Sequence, residues 1–183
     1  NNSVAETDRL EALVNNVLLA ARLESDTYKF NLYPVDLSLL VERHLARLQH
    51  TCRKPLHLLK EIEPGLRIFG DETGLSSVLG NLFENAEKYG SAELRLKVKL
   101  YRDAQGVHLL VADNGPGIPQ AERKRIFKRF YRVGSEETRS AKGAGLGLFI
   151  VKQVLDSHHA RITVEDNAPR GTAFHIMFKP IAA

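Results

Sequence analysis

The sequence predicts an α+β domain: a two-layer α/β sandwich in which a mixed, mostly antiparallel sheet carries helices on one face, preceded by a long helix. Three observations predict it. Helical periodicity recurs in four segments, 3–24, 37–49, 73–89 and 146–157. Strict alternation marks 93–102, and Phe174, Ile176 and Phe178 alternate near the end. Turn sequences such as Glu63-Pro-Gly65 and Asp103-Ala-Gln-Gly106 separate neighbouring strands, the pattern of antiparallel pairing.

The elements follow in order. Ser3-Val-Ala-Glu6 is a capping-box pattern, and Leu10, Leu13, Val14, Val17, Leu18 and Ala21 then form a helical stripe that asks for a partner helix. Residues 26–34 break the pattern and read as a linker or boundary. Leu37 to Gln49 is a second amphipathic helix, capped by Asp36 or Ser38. Pro55 to Ile62 and Arg67 to Gly70 are short strands on either side of the Glu63-Pro-Gly65 turn. The helix over 73–89 buries Leu75, Val78, Leu79, Leu82, Phe83 and Ala86, and Gly90 stands at its C-cap. Leu94, Leu96, Val98 and Leu100 line one face of a half-buried strand, and Val107 to Asp113 is the next. The segment 116–145 is long, charged and bounded by glycines, with one short helix near Ala121 to Phe130. Leu146 to Ser157 is the last helix, and Arg161 to Asp166 with Thr172 to Lys179 a final hairpin.

The chain has 183 residues, enough for one ordinary domain plus an extra element, and 43% of them are hydrophobic, enough for a core. A net charge of +4 leans toward anionic ligands. No Arg/Lys run is interleaved with aromatics, so nucleic acid is not an expected partner. Cys52 is alone, which excludes an internal disulfide and a cysteine zinc site and fits a reducing compartment. No apolar run of about 18 residues and no signal peptide are visible. The sequence opens directly into helix without Met, so it reads as a fragment of a longer protein.

Four motifs carry chemistry. On the helix 73–89, Asn81, Asn85 and Lys88 fall within about 60° of one another, away from the apolar stripe. Amide oxygens there suit a magnesium ion held mostly by phosphates, and the lysine suits the phosphates themselves. Asp113-Asn-Gly115-Pro-Gly117 ends a strand; its carboxylate can accept from an exocyclic amine, and its glycines let backbone approach a ligand. Ile126-Phe127-Lys-Arg-Phe130-Tyr131-Arg132 places two aromatics at i, i+3 to dock a loop, with an arginine able to reach a terminal phosphate. Gly143-Ala-Gly145-Leu146-Gly147-Leu148 opens a helix whose N-terminal N–H groups favour phosphate. No strand precedes these glycines, so the dinucleotide fingerprint of a Rossmann fold does not apply. Each motif alone also has a plain reading: a solvated helix face, an Asp-Asn-Gly turn, an amphipathic helix, and loop-to-helix packing.

In this order the four motifs resemble the asparagine, first glycine, phenylalanine and second glycine boxes of sensor histidine kinases, in the GHKL ATPase superfamily, whose ATP-binding fold is the Bergerat type. The resemblance covers nearly the whole chain. Asp8-Arg9-Leu10, Leu13-Val14 and Leu18-Leu19-Ala-Ala-Arg22-Leu23-Glu24 resemble the second helix of the dimerisation and phosphotransfer hairpin. Gly70-Asp71 and Gly171-Thr172-Ala-Phe174 also match. The resemblance implies three parts: residues 1–27 as that partial hairpin, 28–34 as a linker, and 35–183 as the catalytic ATP-binding domain. It implies Asn85 as the Mg²⁺ ligand, with Asn81 supporting the ion or the phosphates and Lys88 on phosphate. Tyr89 would lie against adenine and Asp113 would read its amino group, with Gly115, Gly117, Ile118 and Thr172 shaping that pocket. Residues from about 116 to 145 would form the ATP lid, pinned by Phe127 and Phe130, with Arg132 approaching the γ-phosphate. Gly143, Gly145 and Gly147 would admit the phosphates, and Leu146 and Leu148 would anchor the lid's end.

The implied reaction moves the ATP γ-phosphoryl group to a histidine, for relay to an aspartate of a response regulator. Implied cofactors are ATP and Mg²⁺, and the implied partners are a regulator's receiver domain and the protein's own phosphotransfer helices in a homodimer. Implied location is the cytoplasm, with the full-length protein anchored in a membrane that this fragment does not touch. The family's acceptor histidine lies upstream. His50-Thr-Cys-Arg53-Lys-Pro55-Leu56 has a superficial likeness to its box but follows the hairpin helix, lacks the acid after histidine and runs into a strand. The other histidines show no metal grouping, and His158-His159 read as surface residues. Ala160 stands where the family commonly has glycine and Glu87 where an apolar residue is usual; both departures are tolerable, the first with room to alter the turn before the hairpin. Three rivals remain. A gyrase or Hsp90 type ATPase needs a glutamate base where Asn81 stands; the others are a degenerate nucleotide-binding module and an anti-sigma serine kinase.

Overall fold

A computed structural model describes residues 14, 16–25, 27–134 and 144–180. The expected cap at Ser3-Val-Ala-Glu6 and the stripe members Leu10 and Leu13 lie outside them.

Helix α1 covers residues 16–24, with Val14 also helical. It docks through Ala20 and Leu23, which are buried in the main core, with Leu19 packed at its edge. The expected stripe is not the docked face: Val14, Val17, Leu18 and Ala21 are exposed. Docking against the domain thus uses the neighbouring flank of the helix. The end of α1 also reaches the domain through an ion pair between Glu24 and Arg129.

The supposed linker is tied down. Asn31 N–H donates to Asp71 Oδ2 at 2.9 Å, and the Tyr28 hydroxyl to Asp71 Oδ1 at 3.4 Å. Its last residues already belong to strand β1, Tyr33–Asp36. Helix α2 is Leu37–Thr51, and its cap is Asp36, whose side chain accepts from Leu39 N–H at 2.9 Å. Ser38 instead bridges the Glu63–Leu66 turn, donating to Glu63 O at 2.7 Å and accepting from Leu66 N–H at 2.9 Å.

Strands β2, Leu56–Ile62, and β3, Arg67–Gly70, do not pair with each other across their turn. β3 pairs antiparallel with β1 in a small separate sheet, Val35 opposite Ile68. β2 joins the main sheet, whose order is β2-β4-β5-β7-β6. There it runs parallel to β4, Leu94–Asp103, because β3 and helix α3 form the crossover between them. All other pairs, with β5 Gly106–Ala112, β6 Arg161–Asp166 and β7 Thr172–Phe178, are antiparallel.

Helix α3 is Glu72–Tyr89, capped by Asp71, which accepts from Gly74 N–H at 2.7 Å. Helix α4 is Gly147–Ser157. Leu75, Leu79 and Leu82 from α3, and Ile150, Val151 and Leu155 from α4, fill the core with Leu96, Leu100, Leu109 and Ile176 of the sheet. One sheet face is therefore covered by helices, as expected. Among the described residues no helix is long and apolar enough to cross a membrane.

Several local expectations change. Residues 121–130 form only a single 3-10 turn, Gln120–Glu122, followed by irregular turns. Gly90 is the C-cap of α3 as expected, its N–H donating to Ala86 O, but through φ −60 rather than a left-handed turn, and a Cβ there would lie 2.4 Å from Ala86 O. His158 is buried rather than at the surface. Its Nδ1 donates to Val154 O at 2.6 Å and its Nε2 accepts from Asp71 N–H at 2.8 Å, which assigns a neutral ring joining α4 to the start of α3. Burial correspondingly lowers its pKa. Ala160 is tolerated, as expected, since the left-handed residue of that turn is His159, with φ 52.

Candidate functional site

Asp113 follows the end of β5 and is buried, with 7% of its surface exposed. Its Oδ1 accepts from Gly115 N–H at 2.7 Å and from Thr172 N–H at 3.3 Å. Burial pushes its carboxyl above the usual range, and the two N–H bonds pull back against that rise. The turn between β6 and β7 presses on the same residue. Asn167 Nδ2 donates to Asp113 O at 2.7 Å, and a Cβ on Gly171 would lie 1.8 Å from that oxygen. Asn114 serves the fold: it accepts from Arg95 N–H at 3.1 Å and donates to Glu93 O at 2.9 Å.

Two contacts join this loop and α4 to helix α3. A Cβ on Gly115 would stand 2.7 Å from Tyr89 O, so the loop lies directly on the end of α3. A Cβ on Gly147 would stand 2.6 Å from Asn81 Oδ1, so the start of α4 lies on the middle of α3. The asparagine helix and both glycine motifs, 24 or more residues apart in sequence, thus share one edge of the domain. Asn81 is buried in that seam and donates through Nδ2 to Ser77 O at 2.8 Å. Asn85 is half-buried on the same helix. Lys88 lies over the ring of the exposed Tyr89, 4.9 Å from its centroid.

The segment between the glycine motifs has a closed neck. Phe130 N–H donates to Gly145 O at 3.0 Å, and a Cβ on Gly145, whose φ is +70, would lie 2.8 Å from the Phe130 carbonyl carbon. Phe130 itself is left-handed, with φ 60, and its ring is exposed at 57%. It therefore does not pin the segment through its side chain. Ile126 does, being buried in the core, with Phe127 packed at the core's edge. The Tyr131 hydroxyl bonds Glu122, which raises the tyrosine pKa. Arg132 is half-buried just past the neck, and Leu146 is buried with Leu148 partly so. Gly143 lies outside the described residues.

An open cleft of about 360 Å³ runs along Pro116–Gln120 and is bounded by Arg123 and Asp166. Its lining includes Gly117 and Ile118 from the end of the first glycine motif but neither Asn85 nor Asp113, so it takes in one side of the motif and not the asparagine edge of α3. Among the described residues no group of three or more His, Cys, Asp or Glu side chains could hold a metal ion.

Residues 70–182 match the family model described as "Histidine kinase-, DNA gyrase B-, and HSP90-like ATPase". The chain belongs to that family. It is 34% identical over 176 residues to the phosphate regulon sensor protein PhoR of Pseudomonas aeruginosa, covering 96% of this chain and 40% of that protein. It is 36% identical over 169 residues to the signal transduction histidine-protein kinase/phosphatase MprB of Mycobacterium ulcerans, covering 92% of this chain and 32% of that one. The chain thus spans well under half the length of these relatives. Among solved structures, a mycobacterial sensor histidine kinase MprB matches with TM-score 0.68 and 34% identity over 82% of this chain and 100% of that one. Full-length ShkA in complex with AMPPNP matches with TM-score 0.76 and 29% identity, over 98% of this chain and 38% of that one.

In this ATPase domain, the residues singled out from sequence fall into two sets. Asn81, Asn85, Asp113, Gly115, Gly117, Gly147 and Thr172 are brought to the α3 edge or into its supporting turns, whereas Phe130 is turned outward. Sequence reasoning did not find Asn167, Gly171's approach to Asp113, Ile126 as the buried anchor, or Arg123. Of these, Ile126 had a sequence signal as an apolar residue beside Phe127 in a charged stretch, and Gly171 stood in the Gly171-Thr172-Ala-Phe174 pattern.

Proposed function

We propose that this chain is the ATP-binding kinase domain of a two-component sensor histidine kinase, preceded by the second helix of its phosphotransfer hairpin. The observation that carries the proposal is the seam at α3, where Asn81, Asn85 and the Asp113 loop meet at one edge in a family of ATPases. The nucleotide in the ShkA complex supports it by analogy.

Asp113 Oδ1 is engaged by two backbone N–H groups, which leaves Oδ2 to accept from the adenine amino group. Tyr89, exposed at the end of α3, is available to the base. Lys88 rests on a surface cation–π contact, on the order of 0.5–1 kcal/mol, weak enough for a phosphate to draw it away. Asn85 would hold Mg²⁺ through its amide oxygen. One or two amides fit that role only with phosphate oxygens completing the shell, consistent with the lack of a carboxylate or histidine cluster among the described residues. The ion would neutralise charge on the transferring phosphoryl group. Asn81, on which Gly147 packs, would set how closely the start of α4 and its glycines approach the asparagine face of α3. Arg132, at the root of the lid, would meet the γ-phosphate.

Phosphoryl transfer depends on positioning and charge neutralisation, and these side chains supply both. Asn81 cannot take a proton from water, which disfavours hydrolysis. The acceptor is a histidine outside this chain, with relay to a response-regulator aspartate, homodimerisation through the hairpin, and a cytoplasmic place in a membrane-anchored protein.

The test is calorimetric titration with Mg·ATP, followed by labelling with γ-labelled ATP after the upstream segment is restored. Mg-dependent binding and acid-labile phosphate on an upstream histidine are expected. Rapid hydrolysis of ATP without any phosphohistidine would overturn the proposal, as would label on His50.

A further inference from the structure

Arg123 belongs to none of the motifs that carry the proposed nucleotide chemistry, yet it spans the edge of the base pocket. Its Nε donates to Ile118 O at 3.0 Å, its Nη1 to Val164 O at 3.3 Å, and its Nη2 to Asp166 Oδ1 at 2.5 Å. The planar fork of arginine suits such a three-way bridge, which a lysine cannot reproduce. The bridge joins the residue after Gly117 to the end of β6.

The end of β6 is itself the support of Asp113. Beyond Asp166 the chain turns through Asn167, whose N–H donates to Gly171 O at 3.1 Å and whose side chain holds Asp113 O at 2.7 Å. Thr172 N–H then meets the Asp113 carboxylate. On the other side, Gly117 takes φ +81, and a Cβ there would sit 3.3 Å from Gly171 O. The loop from Asp113 to Ile118 therefore leans on the β6–β7 turn at both ends. Asn167 and Thr172 fasten its start, and Arg123 fastens its finish.

We propose that Arg123 is a positioning residue for the nucleotide, fixing the Gly117–Ile118 wall of the base pocket by clamping the Ile118 carbonyl to β6. This rests on the nucleotide-binding reading above. The Arg123 side chain is 21% exposed, whereas Asp166 is 78% exposed. The two carbonyl bonds are consequently the effective part of the clamp, and the solvent-screened ion pair contributes little. Arg123 acts on the base side of the pocket. Its loss should weaken ATP and ADP equally, unlike the loss of a residue that meets the γ-phosphate.

The test uses the whole chain, with Arg123→Ala, Arg123→Lys and Asp166→Asn compared by calorimetry against Mg·ATP and Mg·ADP well below the unfolding temperature. Arg123→Ala is expected to weaken both nucleotides by about tenfold, the scale of losing hydrogen bonds from a charged donor, with the ATP-to-ADP ratio unchanged. Arg123→Lys should recover part of the loss, because an ammonium reaches one carbonyl at a time. Asp166→Asn should stay within about twofold of the parent. Three results would overturn the proposal: wild-type affinity in Arg123→Ala with only a lowered melting temperature, a loss confined to ATP, or a full loss in Asp166→Asn. If the parent chain binds no Mg·ATP, the nucleotide reading itself fails and the inference falls with it.

Discussion

Replacing Gly147 with alanine puts two opposing effects on one residue. Gly147 is the first residue of α4, and alanine favours a helix over glycine by up to about 1 kcal/mol. The new Cβ, however, would stand 2.6 Å from Asn81 Oδ1 and 3.3 Å from its Cγ. Asn81 is buried, so its side chain must rotate and give up its 2.8 Å bond to Ser77 O. A buried polar group left unpaired costs about 1–3 kcal/mol, which outweighs the helix gain. Gly147→Ala should therefore destabilise the chain by up to about 2 kcal/mol. The decisive arm is the same change made on Asn81→Ala. With the amide gone, the two nearest obstacles, Oδ1 and Cγ, are removed, and the Asn81 Cβ at 3.7 Å is in ordinary contact with the added methyl group. There Gly147→Ala should become neutral or stabilising by up to about 1 kcal/mol. Urea unfolding of the four proteins of this double-mutant cycle measures the coupling, expected at about 1–3 kcal/mol. An equal destabilisation by Gly147→Ala in both backgrounds would refute the assignment of Asn81 to the α3–α4 seam.

Other outcomes follow from the same geometry. Asn85→Ala should abolish Mg-dependent nucleotide binding with little change in the urea midpoint, since the side chain lies off the apolar stripe; normal Mg·ATP affinity would remove Asn85 from the site. Gly171→Ala should cost on the order of 3 kcal/mol or more, because φ is +143 and the Cβ would meet Asp113 O at 1.8 Å, and thermal unfolding reads this directly. Stability should fall as pH drops through 6.5, because burial lowers the folded pKa of His158 and the unfolded chain takes the proton first. That loss continues down to the folded pKa with a slope of at most about 1.4 kcal/mol per pH unit for this one proton, and His158→Gln should flatten it. The residual slope in that variant belongs to His44 and His175, whose pKa values burial also lowers. Glu24→Gln should change stability by less than about 1 kcal/mol, since its pair with Arg129 is solvent-exposed, and a larger change in thermal unfolding would mean that α1 depends on it for docking.

Sequence periodicity determined the elements whose apolar spacing is sustained. The α3 stripe from Leu75 to Ala86 is buried as its period requires, and β4 buries Leu94, Leu96, Val98 and Leu100 in strict alternation. The order of the four motifs likewise identified the family, because each needs particular residue types: amides on one helix face, and glycines where backbone must approach. Local pattern failed where a distant partner decided the outcome. The α1 stripe that asks for a partner helix stays exposed among its described residues, and Ala20 and Leu23, which lie outside that stripe, meet the domain instead. β2 and β3 flank a turn yet pair with different strands, because the crossover through α3 brings β4 beside β2 and the chain before α2 supplies β1. His158 looked like a surface residue beside His159, but the amide of Asp71 and the carbonyl of Val154 give its two nitrogens partners that sequence spacing does not reveal. Arg123 is ordinary in sequence and becomes a clamp only because β6 passes beside Ile118. The sequence by itself thus determined which residues face a core and which chemistry the chain carries, since both depend on neighbours within a few residues. Only the tertiary structure decided which oxygens and N–H groups come within bonding distance across the chain, such as Asp71 N–H and His158, 87 residues apart, since those contacts depend on how the sheet and helices pack.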